Sequence, residues 1–281
     1  MSSILTNTSA MVALSTLNMV NKNLNETQGR VSTGLQIASG KDNAAYFAIS
    51  ETMKGDSNMF KAIDEGLTAK KNSVSTARLG AEKIKDLASQ FSERVAFAQN
   101  ANDNESLTQI QAELADLAEQ MDDIINQSTF NGEDLVNGTA AVTVVTGIDR
   151  TGATLATTSF TFNQVDLGAI QTALAAIDVT GSTAAALATD LAADLVVAET
   201  QLGLAVTAAT SLGTAEKTLE RQKEFLGALT DTLDSGVSSM VDADMEAEAA
   251  RLQALQVQQQ LATQSLSIAN QAPQNILSLF Q

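Results

Sequence analysis

Apolar residues recur along this chain in alternating steps of three and four, the spacing of one face of a helix. The first stripe runs Leu14, Leu17, Asn21, Leu24, Gln28, Val31, Leu35. Its polar members, Asn21 and Gln28, weaken a helical seam but help to fix its register. Ile4, Leu5, Met11 and Val12 lie beside it, and Gly34, Ser39 and Gly40 predict a break. The spacing resumes at Ile49 and passes through Met53, Phe60, Ile63, Leu67, Val74, Ala77, Ala81, Ile84, Ala88, Phe91, Val95 and Ala98, interrupted at Asp56 and Lys70. At 1.5 Å per residue such a helix is roughly 75 Å long. Asn100 to Asn104 reads as a turn, and Ser106 with Gln109 as a capping box. The next amphipathic helix carries Leu107, Ile110, Leu114, Leu117, Met121 and Ile124. The short link predicts that the two helices form an antiparallel hairpin.

The period then changes. Asn131-Gly132 and Asn137-Gly138 mark turns. Ala141 to Thr146 and Thr157 to Val165 are rich in Val, Thr and Phe, with Gly147 to Thr154 between them. They predict a β-hairpin whose small apolar face leans on the helices. Residues 166–190 are Ala/Thr-rich with a break at Gly181-Ser182. A second long stripe follows at Leu191, Leu195, Ala198, Leu202, Ala205, Ala209, Leu212, Leu219, Leu226, Leu229 and Leu233, punctuated at Ser235-Gly236. The last runs Val241, Met245, Leu252, Leu255, Gln259, Ala262, Leu266, Ala269, with Val257, Leu261 and Ile268 on a neighbouring face.

This near-palindrome predicts a mainly α fold, a long antiparallel helical bundle of coiled-coil rods with one small β-hairpin and with the N- and C-terminal helices paired. Residues 1–43 with 237–281 are expected to form a terminal-helix domain. Residues 44–130 with 166–236 form the long-helix bundle, and 131–165 the hairpin region within it.

Composition narrows the function. The 281 residues contain no Cys, no His and a single proline, Pro273. Disulfides, thiolate metal sites and the commonest general base are therefore excluded, and long helices are permitted. A net charge of −17 argues against nucleic acid as a partner. No run approaches eighteen apolar residues, so no membrane insertion is expected. Charge is absent from Met1 to Asn21 and from Leu252 to Gln281, the latter rich in Gln. A solvated helix normally carries charges of both signs on its outer face. Neutral polar faces suit helices packed against copies of themselves.

Two acidic patterns bear on metal binding. Asp242, Asp244, Glu246 and Glu248 alternate, but a calcium loop counted from Asp242 would place Ala247 and Gln253 where Gly and Glu are required. Acidic residues opening a helix explain them better. Glu113, Asp116, Glu119, Asp122 and Asp123 lack the His of a helical-bundle metal site and read as a solvated face. No catalytic, cofactor or metal residues are expected, and the chain is not read as an enzyme.

Arg30-Val-Ser-Thr-Gly-Leu-Gln-Ile-Ala-Ser-Gly-Lys-Asp-Asn-Ala-Ala45 resembles the bacterial flagellin signature. Ser128-Thr-Phe-Asn-Gly132 and the tail Ile268 to Phe280 are similar to two further motifs of that family, in the right order. The resemblance implies a short flagellin without large outer domains, exported without a cleaved signal peptide and polymerised into the extracellular filament that drives swimming. It implies a homo-polymer, served by an export chaperone, the export apparatus, and hook-associated and cap proteins. Paired terminal helices would then form the subunit interface: Ile4, Leu5, Leu14, Leu17, Leu24, Val31 and Leu35 with Leu252, Leu255, Leu261, Leu266, Ile268, Ile276, Leu277, Leu279 and Phe280. A hook–filament junction protein is the nearest alternative. An adhesin presenting the hairpin is a further one.

Overall fold

A computed structural model describes residues 7–101, 103–151, 154–180 and 187–277, with backbone alone at 151, 187–188 and 272–277. The elements in chain order are α1 (Thr8–Thr33), α2 (Ala44–Ala98), α3 (Asn104–Gln127), β1 (Ala141–Thr151), β2 (Thr154–Asn163), α4 (Leu167–Ala175), α5 (Leu187–Val241) and α6 (Met245–Leu277). The fold is mainly helical with one antiparallel β-hairpin, as the periodicity predicts. The chain divides into two compact units, Met1–Ser57 with Asp231–Gln281 and Asn58–Thr230, and both boundaries fall inside continuous helices.

In the first unit, α1 begins at Asn7, whose side-chain oxygen accepts from Ala10 N at 3.0 Å. It ends at Gly34, which adopts φ 72 and donates its N–H to Arg30 O at 2.8 Å. A β-carbon is strained in that left-handed conformation, so glycine suits the cap. Asn43 Oδ1 accepts from Ala45 N at 3.1 Å and Tyr46 N at 3.3 Å and opens α2. Asp244 does the same for α6, accepting from Glu246 N at 3.0 Å and Ala247 N at 3.2 Å.

The start of α2 departs from the expected stripe. Ile49 is 51% exposed, while its neighbours Ser50 and Ser57 are buried. Ser57 Oγ donates to Asp234 on α5 at 2.7 Å. Small hydroxyl residues let the two helices approach closely, and the bond satisfies the buried Ser57 hydroxyl. Nor does Gly236 interrupt α5, which runs through it to Val241. A β-carbon on Gly236 would lie 2.9 Å from Met53 Cε, so the glycine accommodates a crowded helix contact.

In the second unit the expected stripes are the core. Leu67, Val74, Ala77, Ala81, Ile84, Ala88, Phe91, Val95 and Ala98 of α2 are buried. So are Leu191, Ala198, Ala205, Leu212, Leu219 and Leu226 of α5, and Leu107, Ile110, Leu114, Ala118, Met121 and Ile125 of α3. Lys70, an interruption in the stripe, is matched by an ion pair with Glu133 in the turn after α3. Between α2 and α5, Arg78 Nε meets Glu216 at 2.5 Å and Lys71 Nζ meets Glu220 at 2.9 Å. Hydrogen bonds to Glu216 first and then to Glu82 hold the Arg78 guanidinium above its usual range.

Three local expectations are corrected by the structure. Asp103, not Ser106, caps α3, accepting from Ser106 N at 3.0 Å. A carboxylate at a helix N-terminus gains from the dipole as well as from the bond, and the bonds it accepts from Ser106 lower the Asp103 pKa. The strands are longer than expected, pairing from Ala141↔Asn163 to Thr151↔Thr154 with a bulge between Val145 and Gly147. The hairpin does lean on helix: Val144 is buried, and Gln222 of α5 donates to Thr146 O at 2.8 Å. Finally, the Ala/Thr-rich segment contains α4, capped by Asp166 and burying Leu167, Ile170 and Leu174.

α5 is long and apolar enough to cross a membrane by length and composition, with a stretch of mean hydropathy 1.4. Interspersed Ala, Gly and Thr prevent a contiguous apolar run but leave the average high. Of that stretch, 22% is buried.

Candidate self-assembly surface

Of the residues expected to mediate assembly, those described lie on α1 and α6, which pack together antiparallel in the first unit, with Leu35 just beyond α1. Polar contacts mark their register along the whole pair. Near one end, Asn7 Nδ2 donates to Ala269 O at 2.8 Å. At the middle, Gln259 Nε2 donates to Asn21 Oδ1 at 2.7 Å. Further on, Arg30 Nε lies 3.1 Å from Glu248 Oε1, and Arg30 Nη2 donates to the buried Thr27 hydroxyl at 3.2 Å. Beyond α1, Ala243 N donates to Gly34 O at 2.8 Å and Gln36 N to Val241 O at 2.7 Å. The polar Asn21 of the stripe thus pairs across the seam. An Ala/Leu seam alone would tolerate a slip, whereas displaced polar groups would lose their partners.

Between these bonds the pair encloses a narrow apolar seam. Val20, Leu255 and Ala262 are buried, and Leu17, Leu24, Val31, Leu35, Leu252 and Leu266 are half-buried. These residues are used within the subunit. Leu14, Leu261 and Ile268 instead face outward, 48%, 60% and 63% exposed. Ile4, Leu5, Leu279 and Phe280 lie outside the described residues, as do the side chains of Ile276 and Leu277.

The structure adds residues to the outward set. Met11, Val12 and Met19 on α1 and Val257 on α6 are also exposed. Their signal is a set of further apolar residues beside the main stripe. A groove of about 390 Å³ runs between the helices, lined by Val12, Ala13, Thr16, Val20, Leu261 and Ala262 among others. Charged residues run from Lys22 and Glu26, at and beyond the middle of α1, to the Glu248 end, where Arg251 Nη1 also reaches Glu248 Oε1 at 3.1 Å.

The sequence alone places Glu248 in an acidic helix start. The structure buries it, with its side chain 9% exposed, against Arg30. Only tertiary pairing, between the first helix and the last, reveals that role. Asp42, in the same signature segment as Arg30 and Gly34, accepts from Ser39 Oγ, Ser39 N and Ala38 N. The Ser39 bonds chiefly lower its pKa.

The same helices carry the likeness to known proteins. The bacterial flagellin N-terminal helical region matches residues 4–141, and the C-terminal helical region matches 196–280. The chain is 38% identical to a flagellin of Brucella melitensis over 282 residues, covering all of both chains. It is 34% identical over 283 residues to the flagellin FljK of Caulobacter vibrioides, covering all of this chain and 99% of that one. A solved structure from Vibrio parahaemolyticus, assigned as a flagellar hook-associated protein, shares the fold at TM-score 0.55 and 11% identity. That match covers 72% of this chain and all of the other.

Proposed function

This chain belongs to the bacterial flagellin family and is a structural subunit of the flagellar filament, and from that premise we propose that its copies join through the outward faces of α1 and α6. The observation that supports this most directly is the row Met11, Val12, Leu14, Met19, Val257, Leu261 and Ile268, exposed on helices whose flanking surface is largely uncharged. In a chain of net charge −17, neutral faces are where copies can approach without repulsion. Burying such a row removes apolar surface from water at about 25 cal/mol per Å².

Leu17, Leu24, Val31, Leu35, Leu252, Leu255 and Leu266 hold the helix pair that presents the outward row. Ile4, Leu5, Ile276, Leu277, Leu279 and Phe280 are further members of the proposed interface. Residues 1–43 with 237–281 act as the assembly domain, 44–130 with 166–236 as the long-helix bundle, and 131–165 as the hairpin region within that bundle. An export chaperone, the export apparatus, and hook-associated and cap proteins serve the subunit before and during assembly. The chain performs no catalysis.

Removing residues 262–281 tests the reading. The truncated subunit is expected to keep the melting transition of the second unit and to form no filaments by electron microscopy. Long filaments from the truncated protein would overturn it.

A further inference from the structure

We propose that Asn131 is a self-modification site, whose side-chain amide is lost as ammonia so that the residue ages to aspartate and isoaspartate, while Asn137 in the same dipeptide is protected. The inference does not depend on which surfaces join copies of the chain.

Asn131-Gly132 and Asn137-Gly138 carry the same chemistry. The backbone nitrogen of the glycine attacks Cγ of the asparagine. A bond forms between them, the Cγ–Nδ2 bond breaks, and ammonia leaves with the proton that the glycine nitrogen gives up. Water then adds to either carbonyl of the resulting five-membered imide. One opening yields aspartate. The other yields isoaspartate, which carries one more carbon in the main chain. Water is consumed and no oxidant or reductant is needed. Glycine has no β-carbon to hinder the attack, so what separates the two sites is how the fold holds them.

Asn131 is held loosely. It forms a two-residue turn with Gly132, at φ 52 and φ 77. The turn is closed by Phe130 N to Glu133 O at 3.1 Å and Glu133 N to Phe130 O at 2.9 Å. Asn131 and Gly132 are both exposed. Among the described residues, nothing hydrogen-bonds to the Asn131 side chain or to the Gly132 N–H. A β-carbon on Gly132 would meet nothing within 4 Å, so water reaches the pair freely. The attack needs rotation within the turn, and rotating this exposed pair displaces no buried side chain of its own.

Asn137 is pinned. Its Nδ2 donates to Asp134 Oδ2 at 2.8 Å and its backbone N to Asp134 Oδ1 at 3.2 Å. The Gly138 N–H is engaged too, with Val165 O at 3.5 Å. The Asn137 Oδ1 is confined, since a β-carbon on Gly168 would fall 3.0 Å from it. The preceding Leu135 and Val136 are buried. Leaving group and nucleophile are therefore both held, and rotating the backbone here would pull on the core. Local opening gates such a reaction, and it costs more at Asn137 than at Asn131.

The residue after the loose turn gives the site a consequence. The Glu133 carboxylate forms the ion pair with Lys70 and accepts from Ser73 Oγ at 3.0 Å, both on α2. Isoaspartate lengthens the chain between Phe130 and Glu133, and a two-residue turn has no slack to absorb it. Ageing at Asn131 thus loosens the clamp of this turn on α2.

The test holds the full chain in mildly alkaline buffer and follows each asparagine by peptide mass spectrometry. Isoaspartate is read separately, by methyl transfer from S-adenosylmethionine with a protein isoaspartyl methyltransferase. In the folded chain Asn131 should convert about tenfold faster than Asn137, the ratio that roughly 1.4 kcal/mol of extra opening cost produces. In urea the two should convert at like rates, so the comparison needs no variant. Asp134→Ala should quicken conversion at Asn137 and leave Asn131 as it was. Equal slowing of both sites by folding would overturn the proposal, and so would conversion at Asn137 alone.

Discussion

Glu248 of α6 and Arg30 of α1 stand 3.1 Å apart, and the Glu248 side chain is 9% exposed. Neither Arg30 Nε nor Glu248 Oε2 completes an aligned hydrogen bond, so the contact is chiefly ionic. Such a pair adds little net stability, but breaking it leaves a buried charge alone. Arg30 opens the motif that first suggested the family, and its place against Glu248 gives that residue a physical role, fixing where along α6 the first helix lies.

Replacing Glu248 with Ala should therefore destabilise the α1–α6 pair by about 3 kcal/mol. Arg30→Ala should cost less, because Arg251 still reaches Glu248 Oε1 at 3.1 Å. A double-mutant cycle by denaturant unfolding should return a coupling of about 1 kcal/mol or more. Additive single effects would show that the two charges do not interact.

Gly80→Ala should destabilise the second unit. A β-carbon on Gly80 would fall 2.0 Å from Ser128 Oγ and 2.7 Å from Ser128 Cβ. Ser128 is held in place by Ser128 N to Ile125 O at 3.1 Å and by its Oγ to Ile124 O at 2.6 Å. Overpacking of this kind costs about 1–3 kcal/mol. Ser128→Gly in the same chain should recover most of the lost melting temperature, and failure to recover would locate the strain elsewhere.

Two leucines of α6 should behave oppositely. Leu261 is 60% exposed and Leu255 is 7% exposed. Leu261→Lys should leave the free subunit's circular dichroism and melting unchanged and abolish filament growth. Leu255→Lys buries an unpaired charge and should loosen α1 and α6 in the free subunit, seen as faster amide exchange across both helices. Filament growth by Leu261→Lys at wild-type concentration would remove the outward row from the interface.

Acidity should act on Asp194. Burial, then the neighbouring Asp190 and Asp178 charges, raises its pKa above the ordinary carboxylate value. An acid whose folded pKa is raised weakens the fold most above that pKa, and the penalty vanishes below the unfolded value of about 3.9. Asp194→Asn should thus melt higher than wild type at neutral pH, with the difference shrinking to nothing on acidification through that window. A constant difference across pH would trace the gain to something other than charge.

The long helices were legible because a stripe of Leu, Ile, Val and Ala that holds its spacing over many turns has no other use. Leu67 to Ala98 is buried almost residue for residue along that stripe. What escaped the sequence depends on partners distant in the chain. Ser50 and Ser57 are buried where Ile49 is not, on the stretch of α2 that meets Gly236 and Asp234. Gly236 reads like punctuation and is a place of close contact. Nine-residue α4 is too short for its period to stand out in Ala/Thr-rich sequence. For the assembly surface, periodicity placed residues on α1 and α6 but could not separate those facing the partner helix, such as Leu24 and Leu255, from those facing outward, such as Leu261 and Ile268.

The hairpin has two strands, so each is an edge strand along its outer side, and Thr154 to Ser159 of β2 are all exposed. Thr151 and Thr154 pair with each other at its far end, while its attachment to helix lies at Val144 and at Thr146 with Gln222. Sequence added at that end would disturb no buried side chain of the described residues, and its closure cost would grow only with the logarithm of its length. The far end of the ribbon is thus where this fold would take added sequence at least cost to its packing.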